Sequence, residues 1–319
     1  MIEVKNLTKR YGNHLAVDHL NFTVESGKIY GFLGPNGAGK STTMNIMTGY
    51  LGATEGQVLI DGHDILKEPE EAKKNIGYLP EIPPLYMEMT VREYLEFAAE
   101  LKGIKKDKRE PQIEEVIRLA KLRAVENRLI QNLSKGYKQR VGLAQAVLGF
   151  PEIIILDEPT VGLDPKQIIE ISELIRKLAK KHTVILSSHI LAEVREVCDY
   201  IMIISGGKLV ASDTTENLEN MMSGKGQIEV EAKASRDEMD HIIRRTGKIK
   251  EVKYRTSASG ITTAQIIAKG GEDIREELFL AFSHADVPML TLNQSKTTLE
   301  EIFLELTQGS GNRMIKEEK

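Results

Sequence analysis

Apolar positions change their period twice along the chain. From Met1 to about Asp64 they alternate with polar ones, as in "LNFTVESG" and "GQVLIDG", which predicts short strands joined by glycine turns. From Thr90 to about Leu148 they recur at helical spacing in "TVREYLEFAAELKG", "PQIEEVIRLAKL" and "LSKGYKQRVGLAQAVL". This predicts a helical insert, with Pro111 as a first-turn residue. Beyond it, "EIIILDEP", "KQIIEISELIRKLAKK", "TVILSSH" and "DYIMIIS" set continuous apolar runs against an amphipathic helix. Strands apolar on both faces belong to a parallel sheet covered by helices, so the core is α/β.

After "TTENLENMMSGKG" the texture changes again. "QIEVEA", "RDEMDHIIRRTG", "IKEVKYRTS", "TTAQIIAK", "EDIREELFLAFSHA" and "VPMLTLN" read as strand, helix, strand, strand, helix, strand. That is the order of a ferredoxin-like unit. The expected organisation is a main α/β domain over residues 1–222, with an antiparallel β subdomain and a helical insert over about 88–150. A small α+β domain over 225–307 and a tail over 308–319 follow.

Composition narrows the function classes. The chain has 319 residues, 41 % of them apolar, and 43 Lys plus Arg against 47 Asp plus Glu. No basic excess marks a nucleic-acid binder, so no nucleic-acid partner is expected. The lone Cys198 excludes an internal disulfide and suits a reducing compartment. The opening "MIEVKNLTKRYG" lacks a charged-then-apolar secretion pattern, and no apolar run is long enough to span a bilayer. A cytoplasmic location is expected, with any membrane crossing left to another chain.

The chemistry concentrates in "GPNGAGKSTT", Gly34 to Thr43. Gly34, then four residues, then Gly39, Lys40 and Ser41 is the spacing of a phosphate-cradling loop, and it lies between the strand-like "KIYGFL" and the helix-like "STTMNIM". The glycines let successive backbone N–H groups turn inward, the helix start adds partial positive charge, and Lys40 can reach the β- and γ-phosphates. Ser41 offers a hydroxyl to Mg²⁺. A metal anchor and a water activator are then needed at the end of a neighbouring strand, and "IIILDEPT" supplies Asp157 for the metal and Glu158 as general base.

The set "GPNGAGKST", "LSKGYKQR", "IIILDEPTVGLDP" and "SSH", in this order, resembles the nucleotide-binding subunit of ABC transporters over about residues 1 to 220. The resemblance implies a P-loop NTPase core that binds ATP and Mg²⁺. Gly34, Pro35, Asn36, Gly37, Ala38, Gly39, Lys40, Ser41 and Thr42 would line the phosphates and Tyr11 would stack on adenine. It further implies that "GYLPE", Gly77 to Glu81, contacts Mg²⁺ and couples to the partner, that Asp164 lies on a loop communicating between sites, and that His189 touches the γ-phosphate. Ser134 is a good N-cap, so its helix start can receive phosphate too. One γ-phosphate with two anion sites makes sense if Ser134 and Gly136 come from a facing subunit, a second copy or a paralogue.

Two departures stand out. Lys135 and Tyr137 replace the glycine and glutamine of the usual LSGGQ, and Glu81 stands where glutamine is usual. A carboxylate adds negative charge beside Mg²⁺ and cannot donate to a water, yet the site is expected to remain hydrolytic. A single cassette implies a separate multi-span permease, holding this chain on the cytoplasmic face of the cell membrane and contacting Leu85, Tyr86 and Met87. "GYLPE", "TTENLE" and "TTLEEIFLELT" resemble the exporter-side subfamily of drug-efflux, gliding-associated and copper-processing ATPases. The alternatives are a soluble ABC ATPase acting on ribosomes or DNA, which single motifs without sustained heptads oppose, and a non-catalytic nucleotide sensor, which Glu158 and His189 oppose.

Overall fold

The alternating amino-terminal segments pair as an antiparallel sheet of β1 (Ile2–Tyr11), β2 (His14–Val24), β4 (Glu55–Ile60) and β5 (His63–Asp64), in the order β2-β1-β4-β5. Ile2 stands opposite Val24 on one side and Ile60 on the other, so one face of the sheet collects Ile2, Val4, Val24, Val58 and Ile60 in the core. The computed structural model describes residues 1–218, 227–257, 260–295, 303–304 and 307. The chain divides into two compact units, one of residues 1–214 with 306–319, the other of 215–305.

A six-stranded sheet carries the rest of the first unit. It contains β3 (Ile29–Leu33), β6 (Ile76–Leu79), β7 (Ile153–Leu156), β8 (Thr183–Ser188), β9 (Tyr200–Ser205) and β10 (Lys208–Thr214), ordered β10-β9-β3-β8-β7-β6. All neighbours run parallel except β10, which returns antiparallel along β9. Every residue of β3, β7 and β8 is buried, as expected of strands covered on both faces. Phe32, Met44, Ile155, Ile185 and Met202 join the antiparallel sheet's Ile2, Leu20 and Ile60 in one cluster, so both sheets share a core.

Seven helices complete the described part of this unit: α1 (Lys40–Met47), α2 (Pro69–Lys74), α3 (Val91–Leu101), α4 (Lys106–Leu119), α5 (Lys135–Val147), α6 (Pro165–Ala179) and α7 (Leu191–Val197). Thr90 and Glu93 form a capping box that starts α3. The expectation for Pro111 is corrected: α4 begins at Lys106, because the charged run ahead of the proline is itself helical, and Pro111 lies inside the helix. Proline has no N–H to give the carbonyl of Asp107. Arg92 of α3 binds Glu110 (2.9 Å), Glu114 and Glu126 (3.1 Å), and Arg123 also grips Glu114, which ties α3 to α4. Lys102, just after α3, donates to the carbonyls of Gln145 (2.8 Å), Ala146 (3.2 Å) and Leu148 (2.6 Å) at the end of α5. Burial lowers its pKa to about 8.

The second unit runs β11 (Gln227–Ala232), α8 (Arg236–Arg244), β12 (Ile249–Thr256), β13 (Thr262–Ala268), α9 (Arg275–His284) and β14 (Met289–Ser295). Its wholly antiparallel sheet is ordered β12-β13-β11-β14, the ferredoxin-like arrangement that the element order predicts. Ile228, Val230, Ala264 and Ile266 pack under Met239, Ile243, Leu278 and Phe282 of its helices. Most of "TTLEEIFLELT", the tail, and the end of "TTENLENMMSGKG" lie outside the described residues. Among the described residues no helix is long and apolar enough to cross a membrane.

Candidate functional site

β3 ends at Leu33 and the glycine-rich loop turns the chain into α1, whose first residue is Lys40. Gly39 is the helix cap at φ +104°, and a Cβ there would sit 2.5 Å from the carbonyl of Ala16, so only glycine fits. No side chain caps the helix, which leaves its first N–H groups facing the loop. Lys40 is 6 % exposed; its Nζ donates to the carbonyls of Gly34 (2.9 Å) and Pro35 (3.3 Å) and lies 3.4 Å from Glu158 Oε1. A buried ammonium thus has both hydrogen-bond acceptors and a counter-charge.

Asp157 and Glu158 follow β7, as the apolar run before them predicts. Both are buried, and Glu158 adopts φ +47°, an uncommon conformation for a residue with a Cβ. Ser187, at the end of the adjacent β8, holds that turn: its hydroxyl donates to Asp157 Oδ1 (2.5 Å) and accepts from the Glu158 N–H (2.8 Å). Ser41 Oγ donates to the same Asp157 oxygen at 3.3 Å. Burial raises the Asp157 pKa, and the hydroxyls of Ser187 and Ser41 oppose that rise. His189 Nδ1 lies 2.9 Å from Glu158 Oε2, so Glu158 is bracketed by Lys40 and His189.

One cleft of about 450 Å³ gathers Tyr11, Asn36, Gly37, Gly39, Lys40, Ser41, Thr42, Glu81, Glu158 and His189. Gly34 and Ala38 are buried behind it. Tyr11 is exposed, with Lys9 Nζ 5.3 Å from its ring centre. Ser134 and Gly136 are elsewhere. They line a second cleft of about 310 Å³ with Tyr137, Arg140, Asp164 and Gln167. Ser134 caps α5 by accepting from the Tyr137 N–H, and Asp164 caps α6 by accepting from that of Gln167. The Gln167 amide lies against Gly136, where a Cβ would fall 2.5 Å from its oxygen.

The donor set suits Mg²⁺. Ser41 and Asp157 offer a hydroxyl and a carboxylate, both hard oxygen ligands, and no group of three or more His, Cys, Asp or Glu forms a metal cage among the described residues. That is the pattern of an ion held mainly by phosphates and water. Three residues that sequence reasoning missed also matter here: Ser187 links the Asp157 carboxylate to the Glu158 N–H, and His14 and Val161 line the first cleft. The signal for Ser187 was its place two residues before His189 in "SSH".

The segment after Glu81 differs from expectation at one residue. Tyr86 and Met87 are exposed, but Leu85 is half-buried, and Ile82 is the most open apolar side chain there at 83 %. Tyr86 packs edge-on against Phe97, which holds the segment on α3. Ile82 and Glu81 border a third, larger groove of about 840 Å³ that also reaches Ser41, Tyr50, Tyr78 and Asp157.

Residues 17–161 match the ABC transporter family. The bacitracin transport ATP-binding protein BcrA of Bacillus licheniformis is 42 % identical over 221 residues, 69 % of this chain and 71 % of its own. The linearmycin resistance ATP-binding protein LnrL of Bacillus subtilis is 31 % identical over 308 residues, 96 % of this chain and 98 % of its own. Among solved structures, an ATP-binding subunit of an ABC transporter aligns with a TM-score of 0.64 at 32 % identity, covering 69 % of this chain and 92 % of that one. A dimeric, post-hydrolysis form of the cassette MJ0796 with ADP and phosphate aligns with 0.61 at 28 % identity, covering 67 % and 98 %. The glycine loop and its strand-end carboxylates thus sit in a fold, and a sequence, shared with proteins of one kind: the chain belongs to the ABC transporter family, as an ATP-hydrolysing subunit.

Proposed function

We propose that the cleft around Lys40 binds Mg²⁺-ATP and that a second copy of this chain, or a paralogue, closes it with the Ser134–Gly136 helix start. The observation that carries this reading is the separation of the two clefts. Tyr11, Lys40, Ser41, Glu81, Glu158 and His189 share one, while Ser134 and Gly136 line another, so both anion sites meet one phosphate only across two chains. ATP-binding subunits of this family work in pairs with membrane permeases.

In this scheme Tyr11 stacks on adenine and the loop from Gly34 to Thr42 wraps the phosphates. Phosphate entering the loop competes with Glu158 for Lys40, which frees Glu158 to orient a water on the γ-phosphorus. The water oxygen attacks in line, the bond to the β-phosphate oxygen breaks, and ADP leaves with that oxygen. Lys40, His189 and the facing Ser134 helix start take up charge that develops on the phosphoryl oxygens. Ser41 and Asp157 would hold Mg²⁺, with Glu81 nearby, and the ion would neutralise β- and γ-phosphate charge.

Residues 1–222 carry this machinery and 225–307 form an accessory domain that pairs or regulates subunits. The absence of buried ionisable side chains from the second unit, among its described residues, supports that division. Ile82, Tyr86 and Met87 are the apolar residues offered to a separate multi-span permease, which keeps the chain on the cytoplasmic face of the membrane. The names of BcrA and LnrL support export of an antibiotic-like compound. Purification from solubilised membranes, followed by ATPase assay, tests the reading. A co-purifying permease and Mg²⁺-dependent turnover are expected. Absent turnover with the permease present, or ribosomes or DNA in its place, would overturn it.

A further inference from the structure

The loop that follows Glu158 touches both clefts: Val161 lines the one with Lys40 and Asp164 the one with Ser134. Its second residue, Thr160, is 6 % exposed; its carbonyl accepts from the Leu163 N–H within the loop at 3.1 Å, while its hydroxyl reaches out of the loop and donates to Glu193 Oε2 at 2.5 Å. Glu193 belongs to α7, the helix after His189. The same carboxylate oxygen accepts from Ser188 Oγ at 3.3 Å, and Ser188 Oγ in turn accepts from the N–H of Ile190 at 3.0 Å. Ser188 is 1 % exposed, so this linkage is buried at its core.

We propose that Glu193 is a positioning residue for hydrolysis: by holding Thr160 and Ser188 on one oxygen, it sets the distance between His189 and Glu158 and the path of the loop that joins the two clefts. The inference rests on the roles assigned above to Glu158 and His189. Several features of the geometry favour it over simple helix capping. A first-turn acid on a helix needs only its own N–H groups and the dipole. Here the carboxylate reaches a residue from a different strand end, two positions after Glu158. It also meets the hydroxyl immediately before His189, on the other side of the 2.9 Å contact between Glu158 and His189. Glu158 itself stands at φ +47°, so its side-chain direction depends on supports from outside its own turn. Ser187 fixes its N–H, and Glu193 fixes the chain two residues on and the chain that carries its histidine. Further along the loop, the Lys135 ammonium lies against Gly162, which holds φ +71°.

A misplaced water-orienting group slows the chemical step without removing phosphate contacts, so the effect should fall on kcat. The experiment is steady-state ATPase of the full-length chain as Glu193→Ala, Glu193→Asp, Thr160→Val and Thr160→Ser, beside the parent and Glu158→Gln. Glu193→Ala and Thr160→Val should each lower kcat about tenfold to a hundredfold with the KM for ATP within about twofold. Combined, they should be no worse than Glu193→Ala alone, because both remove one linkage. Thr160→Ser, which keeps the hydroxyl, should recover most of the rate. Losses that add in the double variant, a kcat within twofold of the parent for either single variant, or no rescue by serine would overturn the proposal. A Glu193→Ala chain that does not fold leaves Thr160→Val against Thr160→Ser to decide it in the same way. No turnover by the parent, or none lost in Glu158→Gln, would sink the assignment of Glu158 instead.

Discussion

The six-stranded sheet of the first unit and the four-stranded sheet of the second handle polar groups in opposite ways. In the six-stranded sheet of the first unit, strands ending at Leu33, Leu156 and Ser188 deliver Lys40, Asp157, Glu158 and Ser187 into buried positions. In the four-stranded sheet of the second unit the one buried polar side chain among the described residues is Thr262, and its hydroxyl donates to the carbonyl of Ala234 at 2.7 Å. Buried charge is costly unless paired and hydrogen-bonded. The first sheet accepts that cost where parallel strands converge at one edge, and the second avoids it altogether. The difference separates a sheet that buries charge at its strand ends from one whose described buried side chains are almost wholly apolar.

Perturbing each sheet in turn sharpens this contrast. The largest effect is expected from Glu158→Gln, which removes the carboxylate proposed as general base yet keeps the shape: turnover should fall about a hundredfold or more while nucleotide affinity stays near the parent's, as read by ATPase assay and equilibrium binding. Lys40→Ala strips the cleft of its ammonium and should weaken ATP binding by about tenfold to a hundredfold, the worth of charge-assisted hydrogen bonds. Isothermal titration would check it. In the second sheet, Ile266→Ala should destabilise the ferredoxin-like unit by about 2–5 kcal/mol and leave kcat within about twofold. A matching loss of kcat would mean that this sheet takes part in the chemistry.

A smaller effect concerns neither sheet but the helical insert between β6 and β7. The guanidiniums of Arg123 and Arg92 hold the Glu114 carboxyl down to about 2, against an ordinary 4.5. A carboxyl whose folded pKa is depressed stabilises the fold fully above its unfolded pKa and loses that contribution as pH falls toward the folded one. The melting temperature of the parent should therefore drop between about pH 5 and pH 2 more than that of Glu114→Gln. Equal pH slopes would show that the Arg92 network adds nothing to stability. The carboxyl is open to solvent, so salt should shrink the difference.

Much of this was legible in the sequence, for reasons that differ from place to place. The loop at Gly34 to Lys40 could be read because a tight turn, a backbone cradle and a helix start each demand a fixed residue type at a fixed spacing. The second unit could be read because its strands alternate and its helices do not, which leaves the sheet order to follow from the element order. β6 was less visible: its four residues, "IGYL", are too short to show a period, and it takes its place at the sheet edge by pairing with β7. Pro111 misled because a proline marks a helix start only when the residues before it are poor helix formers, and here the charged run ahead of it is helical. Ser187 and Glu193 were hidden for a different reason. Their hydrogen bonds join segments about thirty residues apart, and although "SSH" marks the place of Ser187, no local pattern announces the partner at the other end.

The account depends on two chains sharing each nucleotide. The most direct test is the molecular mass of full-length Glu158→Gln by analytical ultracentrifugation, with and without saturating Mg²⁺-ATP. The account predicts a monomer that becomes a dimer only with nucleotide, and reversion to monomer when Ser134→Arg is introduced beside it. A protein that binds ATP and stays monomeric at saturation would contradict it.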